Sequence, residues 1–259
     1  MNPDRIIAIV NQKGGVGKTT TSINLAAALA NKGRRVLLID MDPQGNASTG
    51  LGIPRRQREN TIYNVLTEDL PIDDAIAPTD VERLFILPSH VDLSAAEMEI
   101  GQRDGRTRIL RDAVEVATAQ FDYVMIDCPP SLNLLTINAL SAARSVIVPL
   151  QCEFFALEGL SQLLQTVEMA KSSINPNLAI DGVMLTMFDK RNRLSAQVAE
   201  DVRTHLGRAV FETVIPRNVR IAEAPSFGQP VINYAPNSKG AKAYLALADE
   251  LLKKHRNRK

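Results

Sequence analysis

One stretch near the N-terminus restricts the fold more than any other part of the chain. It reads Lys13-Gly14-Gly15-Val16-Gly17-Lys18-Thr19-Thr20 and lies between a short apolar run and a helix-like segment. Glycines let such a loop turn its backbone N–H groups toward an anion, and the following helix adds its positive dipole end. The spacing therefore predicts a nucleotide-phosphate loop in which Lys18 binds phosphate and the Thr19 hydroxyl binds Mg²⁺.

Short apolar runs alternate with helical patterns along the rest of the chain. Seven runs rich in β-branched residues predict buried strands: Arg5–Val10, Arg35–Asp40, Leu84–Leu87, Tyr123–Asp127, Ser145–Leu150, Gly182–Met187 and Ala209–Ile215. Six segments predict helices: Thr19–Lys32, Arg106–Thr118, Leu132–Ala143, Leu157–Ser173, Ser195–His205 and Lys239–Lys254. We predict one α/β domain over residues 1–259, with a doubly wound, mostly parallel sheet and helices on both faces. For residues 45–80 we predict loops and short helices over one edge of the sheet.

The composition excludes several classes of protein. Hydrophobic residues make up 45% of the 259 residues and charged residues 23%, which argues against disorder. No apolar run reaches the roughly 18 residues of a membrane span, and no secretory signal opens the chain, so we expect a cytoplasmic protein. Cys128 and Cys152 are too few for a disulfide scaffold, and we expect both to be inert core thiols.

The net charge of +1 hides an uneven distribution. Before Thr186 the chain has 16 Lys and Arg against 22 Asp and Glu, and from Thr186 onward it has 14 against 7. A basic C-terminal third can attract a polyanion, although a solvated basic face is the simpler explanation of the charge alone.

Three aspartates stand at or just after the ends of two predicted strands. Asp40 and Asp42 follow an apolar run, and Asp127 ends the run that begins at Tyr123. Because ligands of open α/β sheets bind at the carboxyl ends of the strands, these carboxylates should lie near the phosphate loop. For Asp42, which precedes Pro43, a simple strand-end turn is the alternative.

The phosphate loop departs from the general pattern in its first two positions, which hold Gln12 and Lys13. This form resembles the deviant Walker A motif of the ParA/MinD ATPases, which have a P-loop NTPase fold. The resemblance implies that Lys13 reaches the nucleotide of a second subunit in an ATP-bound homodimer. It also implies that Asp42 orients the attacking water and that Asp40 and Asp127 support Mg²⁺.

The segment Ile215–Gly228 resembles the chromosomal ParA (Soj) group of DNA-partitioning ATPases. The resemblance implies an Mg²⁺-dependent ATPase whose dimer binds double-stranded DNA without sequence preference and is released by a ParB-like partner, in chromosome or plasmid segregation. It places Met187, Pro216 and Arg217 near the adenine. The candidate DNA-binding residues are Arg191, Arg193, Arg217, Arg220 and Lys242, and the basic tail (Lys253, Lys254, Arg256, Arg258 and Lys259) can add to the attraction. The chain starts at its first strand, so we expect no N-terminal helix-turn-helix domain.

Two other functions share this nucleotide chemistry. A MinD-like positioning ATPase would bind membranes through a C-terminal helix, whereas here the apolar positions from Tyr244 to Leu252 continue without a linker and predict docking on the sheet. We therefore expect no stable membrane association.

A small-molecule ligase resembling dethiobiotin synthetase would release a ligated product beside ADP. Each candidate DNA-binding arginine also has the alternative of being a solvated surface charge.

Overall fold

A seven-stranded sheet organises the computed structural model, which describes residues 5–117, 120–154 and 156–257. The strands are β1 (Ile6–Ile9), β2 (Val36–Asp40), β3 (Ala77–Pro78), β4 (Leu84–Leu87), β5 (Tyr123–Asp127), β6 (Ser145–Gln151) and β7 (Ala179–Thr186). Their spatial order is β3-β4-β2-β5-β1-β6-β7, and every pairing is parallel except that of β3 with β4. The predicted doubly wound α/β fold is confirmed.

Helices connect the strands. They are α1 (Lys18–Asn31), α2 (Asn46–Gly50), α3 (Ile62–Thr67), α4 (Ile72–Ala75), α5 (Leu93–Ile100), α6 (Ile109–Ala117), α7 (Leu134–Ala142), α8 (Ala156–Ser173), α9 (Arg193–Leu206), α10 (Val219–Glu223), α11 (Val231–Tyr234) and α12 (Lys239–Arg256). All six predicted helices are present with shifts at their ends, and the predicted end of one, Thr118, lies outside the described residues. As predicted, residues 45–80 form short helices and loops, together with the two-residue edge strand β3.

The alternation of side chains along β1 shows why the sheet needs cover on both faces. Ile7 and Ile9 pack in one apolar cluster, whereas Ile6, Ala8 and Val10 pack in the other. The first cluster includes residues of α1, α2, α11 and α12, and the second includes residues of α3 and of α5 to α9. Strands buried on both faces give the continuous apolar runs seen in the sequence.

One predicted strand is wrong. Ala209–Ile215 forms no ladder, and only Val210 makes an isolated bridge, to Val183 of β7. The N–H groups of Phe211 and Ile215 donate to the carbonyl oxygens of Val183 and Leu185 in β7, both at 2.9 Å. Between them the pairing is interrupted, because the N–H groups of Glu212 and Thr213 donate to the Glu250 carboxylate of α12 at 2.7 and 3.0 Å. The run is apolar because Val210, Phe211 and Ile215 are buried as an irregular segment beside β7.

The C-terminal helix packs on the domain, as the sequence predicted. Tyr244, Leu247, Ala248 and Leu251 are buried in the cluster that also contains α1. Near the end of α12, the buried His255 lies 3.0 Å from Asp181 of β7 and 3.3 Å from the Tyr123 hydroxyl of β5. None of the helices in the described ranges combines the length and the apolar composition of a membrane span.

Candidate nucleotide site

The loop between β1 and α1 is shaped to receive an anion. Gly15 and Gly17 have φ of 77° and 92°, a left-handed conformation that favours glycine. A Cβ at Gly14 or Gly15 would meet no heavy atom within 4 Å, so the loop borders open space. Gly17 precedes α1 and offers no side-chain cap, which leaves N–H groups of the first helical turn available to phosphate oxygens.

The two lysines of the loop lie in different surroundings. Lys18 is buried at the start of α1, and its Nζ donates to the carbonyl oxygen of Lys13 at 3.0 Å. Burial lowers the pKa of Lys18, while Asp127, Cys128 and Asp42 act in the opposite direction. The Lys13 side chain instead points along the surface, where its Nζ lies 3.0 Å from Oε2 of Glu153, and both side chains are about half exposed (47% and 46%).

Asp40 and Asp127 meet because β2 and β5 are adjacent and parallel and end at the same level. The two residues are register partners, and both are fully buried. The backbone N–H and hydroxyl of Ser48 donate to Oδ2 of Asp40 at 2.8 and 2.7 Å. The hydroxyl of Ser22, one turn after Lys18, donates to Oδ1 of Asp127 at 2.8 Å. The predicted meeting of these carboxylates with the phosphate loop is therefore present in the fold.

Burial raises the pKa of both carboxyls. For Asp127 desolvation and the nearby Asp40 raise it to about 8, although the hydroxyls of Ser22 and Thr19 act against this rise. For Asp40 desolvation raises it to about 6, against the hydrogen bonds from Ser48. Among the described residues, Oδ2 of Asp127 is buried without a hydrogen-bond partner. Thr19 and Asp127 thus fit the hard, oxygen-seeking Mg²⁺ ion.

Asp42 lies two residues beyond the end of β2, at the edge of the buried cluster. Its Oδ1 accepts from the backbone N–H of Gln44 at 2.9 Å, and its own N–H donates to Asp40 at 3.3 Å. Its carboxylate is close enough to Lys18 to favour the charged form of that lysine. These contacts hold Asp42 in a turn beside the phosphate loop, so the turn and a functional position are compatible.

A cavity of about 210 Å³ adjoins the loop and contains the residues predicted near the adenine. Met187, Pro216 and Arg217 line it together with Gly17 and Thr20. The segment after β7 is brought there by backbone contacts: the N–H of Arg217 donates to the carbonyl oxygen of Phe188 at 3.0 Å. Met187 has φ of 51°, an uncommon conformation for a residue with a side chain.

The candidate DNA-binding residues are exposed, and two of them have intramolecular partners. Arg191 contacts Asp189 through two hydrogen bonds of 3.1 and 3.0 Å, which hold the pKa of Asp189 at about 2. Arg220 pairs with Glu223 at 2.9 Å. Arg193 begins α9, Lys242 lies near the start of α12, and Arg217 borders the cavity. Of the basic tail, Arg258 and Lys259 lie outside the described residues.

Sequence reasoning missed several residues that position this site. Ser22 and Ser48 hold the carboxylates, and a signal for Ser22 existed, since it lies four residues after Lys18 on the same helical face. The buried Arg58 donates to the carbonyl oxygens of Ser89 and Ile53 and to the Thr49 hydroxyl, and thereby fixes the loop after Asp42. Nothing in the sequence around Arg58 indicates this role.

Cys128 and Cys152 are buried and have raised pKa values, as inert core thiols should.

Comparison with known proteins gives this geometry a context. A family model described as an AAA domain matches residues 4–180. The Caulobacter vibrioides chromosome partitioning protein ParA is 58% identical over 99% of this chain and 97% of its own. The chain belongs to the ParA family of chromosome partitioning ATPases. Another member, the Bacillus subtilis sporulation initiation inhibitor protein Soj, is 53% identical over 95% of this chain and 98% of its own.

Two solved structures of similar proteins have the same fold. A Mycobacterium smegmatis protein named cobyrinic acid a,c-diamide synthase, with bound ADP and magnesium, is 39% identical and superimposes with a TM-score of 0.86 over 98% of this chain and 96% of that one. The cell division ATPase MinD of Pyrococcus furiosus is 32% identical, with a TM-score of 0.81 over 96% and 99% of the two chains. The P-loop ATPase fold and the ParA-type resemblance predicted from the sequence are confirmed.

Proposed function

We propose that this chain is an Mg²⁺-dependent ATPase that switches between a monomer and an ATP-bound dimer on DNA. The observation that carries the proposal is the meeting of Asp40, Asp127 and Lys18 at the uncapped start of α1. A cation and helix N–H groups suit the phosphates of ATP, and the carboxylates suit the magnesium that accompanies them. The solved relative with ADP and magnesium supports ATP and Mg²⁺ as the cofactors.

Each residue of the site has a separate role in phosphoryl transfer. The loop 13–20 holds the phosphates, with Lys18 neutralising charge on the β- and γ-phosphates and Thr19, Asp40 and Asp127 forming the metal side. Mg²⁺ supplies additional positive charge at the phosphates when bound. Asp42 orients a water molecule toward the γ-phosphorus and accepts its proton as the bond to ADP breaks. The cavity lined by Met187, Pro216 and Arg217 receives the adenine.

The exposed position of Lys13 supports the dimer. Its Nζ lies in a surface ion pair with Glu153 and does not add a second ammonium beside Lys18. A lysine with this freedom is able to reach a phosphate in a facing subunit, where it completes the charge balance of the site. We propose that ATP joins two chains in this way, so that nucleotide state and oligomeric state are coupled.

Exposed cations around the cavity support the proposed binding of DNA. Arg191, Arg193, Arg217, Arg220 and Lys242 project from segments that border or flank the cavity, so the nucleotide state can control their arrangement. Contacts of this kind neutralise backbone phosphates without reading bases. We propose that the dimer associates with the nucleoid and that a ParB-like protein stimulates hydrolysis and release.

The decisive experiment measures binding to random-sequence duplex DNA with ATP, ADP or no nucleotide across a salt series. The proposal requires binding that needs ATP, ignores sequence and weakens steeply with salt. If ATP binds but DNA does not, the DNA-partition function is wrong.

Anionic vesicles then test the MinD-like alternative, against which the burial of the apolar face of α12 argues. Analysis of the products beside ADP tests the ligase alternative, which the name of the Mycobacterium smegmatis relative keeps relevant.

A further inference from the structure

A cleft of about 540 Å³ lies at the amino ends of the strands, opposite the nucleotide site. Four cations of the described residues line it: Arg5 just before β1, Arg34 just before β2, and Lys253 and Arg256 in the last turn of α12. Asp249 is the one carboxylate among the described lining residues, and its Oδ2 is 2.7 Å from Nζ of Lys32. The cleft therefore presents an excess of positive charge in a volume typical of small-molecule sites.

The two arginines have hydrogen-bonding capacity to spare. The Nε atoms of Arg5 and Arg34 are buried and have no hydrogen-bond partner in the described part of the chain. The carboxylate of Asp122 is 3.7 Å from Nη1 of Arg5, beyond ordinary hydrogen-bond distance. The other oxygen of Asp122 already accepts from the backbone N–H of Arg35 at 2.9 Å. Unmet buried donors are uncommon in folded proteins, and an anion that lets these guanidiniums reorient would satisfy them.

The position of the two lining cations of α12 is explained in part by the helix itself. Lys253 and Arg256 lie at the carbonyl end of a helix, where positive charge is favourable. That effect falls off within one turn and does not account for Arg5 and Arg34, which belong to other elements. Neither Lys253 nor Arg256 forms an ion pair with a described residue.

The rear wall of the cleft is fixed by a buried polar network. Nδ1 of His255 lies 3.3 Å from the Tyr123 hydroxyl, and Nε2 lies 3.0 Å from Oδ2 of Asp181. The Ser145 hydroxyl donates to the same oxygen at 2.5 Å. This network joins α12 to β5, β6 and β7, so the wall and the helix that carries Lys253 and Arg256 are held in place before any ligand arrives. Such preorganisation lowers the entropic cost of binding.

We propose that this cleft binds a small anion with at least two phosphate groups, at a site separate from the ATP site. Guanidiniums match phosphate oxygens through paired hydrogen bonds, and a compact polyphosphate can contact cations from β1, β2 and α12 together. A recessed cleft favours such a ligand over the DNA backbone, which carries the same phosphate chemistry on an extended surface.

Inorganic tripolyphosphate is the probe, titrated calorimetrically into protein saturated with Mg·ADP. We expect one additional site whose affinity falls with salt. Arg34→Gln and Lys253→Gln should each weaken it at least about tenfold, because each removes a charge-assisted contact. Their affinity for ADP and their basal ATPase rate should remain those of the unaltered chain. The matched control is Arg56→Gln, which removes the same charge from an exposed turn that does not line the cleft.

Three results would overturn the proposal. One is the absence of a second site under saturating Mg·ADP, checked by labelled ADP to exclude displacement. Another is equal weakening by Arg56→Gln, which would reduce the effect to overall charge. The third is dependence of duplex DNA binding, but not of tripolyphosphate binding, on Arg34 and Lys253, since the phosphates would then be those of DNA. Failure of ATP-dependent DNA binding would leave this site unaffected, because the two measurements are independent.

Discussion

The nucleotide site has a buried half and an exposed half, and they differ in what fixes their geometry. The buried half consists of Lys18, Asp40 and Asp127, each held by hydrogen bonds or strand register within one chain. The exposed half consists of Lys13 and the five candidate DNA-binding residues, whose contacts are surface ion pairs or solvent. Exposed ion pairs contribute about 0–1 kcal/mol, so they do not lock these side chains. One chain therefore fixes the phosphate chemistry, and under the proposed function a second subunit and DNA fix the rest.

The largest effect should come from the buried half. Lys18→Ala removes a buried ammonium at the start of α1 and should abolish nucleotide binding, with a loss of about 100-fold or more. Calorimetry with ATP and ADP measures it. Lys32→Ala, at the other end of the same helix, is the control and should bind ATP as the unaltered chain does. Unchanged ATP affinity in Lys18→Ala, with an intact thermal transition, would move the phosphate site elsewhere.

The next effect separates binding from turnover. Asp42→Ala should bind ATP but lose about 10²–10⁴-fold in hydrolysis rate, because no other group would orient the water. The variant should accumulate as an ATP-bound dimer on DNA. Steady-state phosphate release and light scattering on a sizing column measure the two properties. Turnover at the unaltered rate would remove Asp42 from the mechanism and leave it as a strand-end turn.

The boundary between the two halves is tested by Lys13 and Glu153 together. Lys13→Ala should keep the monomer's ATP affinity but lose ATP-dependent dimerisation, since its ammonium would be missing from the facing site. Glu153→Gln frees Lys13 and should dimerise as well as the unaltered chain, or up to about fivefold better, given the small strength of an exposed pair. Analytical ultracentrifugation with a slowly hydrolysed ATP analogue measures both. Normal dimerisation of Lys13→Ala would place that lysine outside the dimer contact.

The sequence predicted the buried half better than the exposed half, for physical reasons. Strand ends, glycines and helix starts have local signals, so Asp40, Asp127 and Lys18 could be placed near one another before the fold was seen. The hydrogen bonds by which Ser48 and Arg58 hold this site depend on where a loop returns to the sheet. Local sequence patterns do not encode that position. The failure at Ala209–Ile215 has the same origin, because the carboxylate of Glu250, on a helix distant in sequence, binds the N–H groups of Glu212 and Thr213 in the middle of the run.

The smallest effects belong to the exposed arginines. Arg217→Ala and Arg191→Ala should each weaken ATP-dependent DNA binding several-fold and reduce the slope of log affinity against log salt by about one. Arg191 should show the smaller loss, since DNA must compete with its two hydrogen bonds to Asp189. Fluorescence anisotropy across a salt series measures both variants.

Arg217 also borders the cavity, so its ATP affinity must be measured in parallel. A loss of DNA binding at unchanged ATP affinity assigns Arg217 to the DNA surface, whereas a loss of both assigns it to the nucleotide. Arg83→Ala, an exposed arginine before β4 at the opposite end of the sheet, is the control. If Arg83→Ala lowers the salt slope as much as Arg217→Ala, the exposed half has no defined DNA surface and the contrast between the two halves reduces to burial alone.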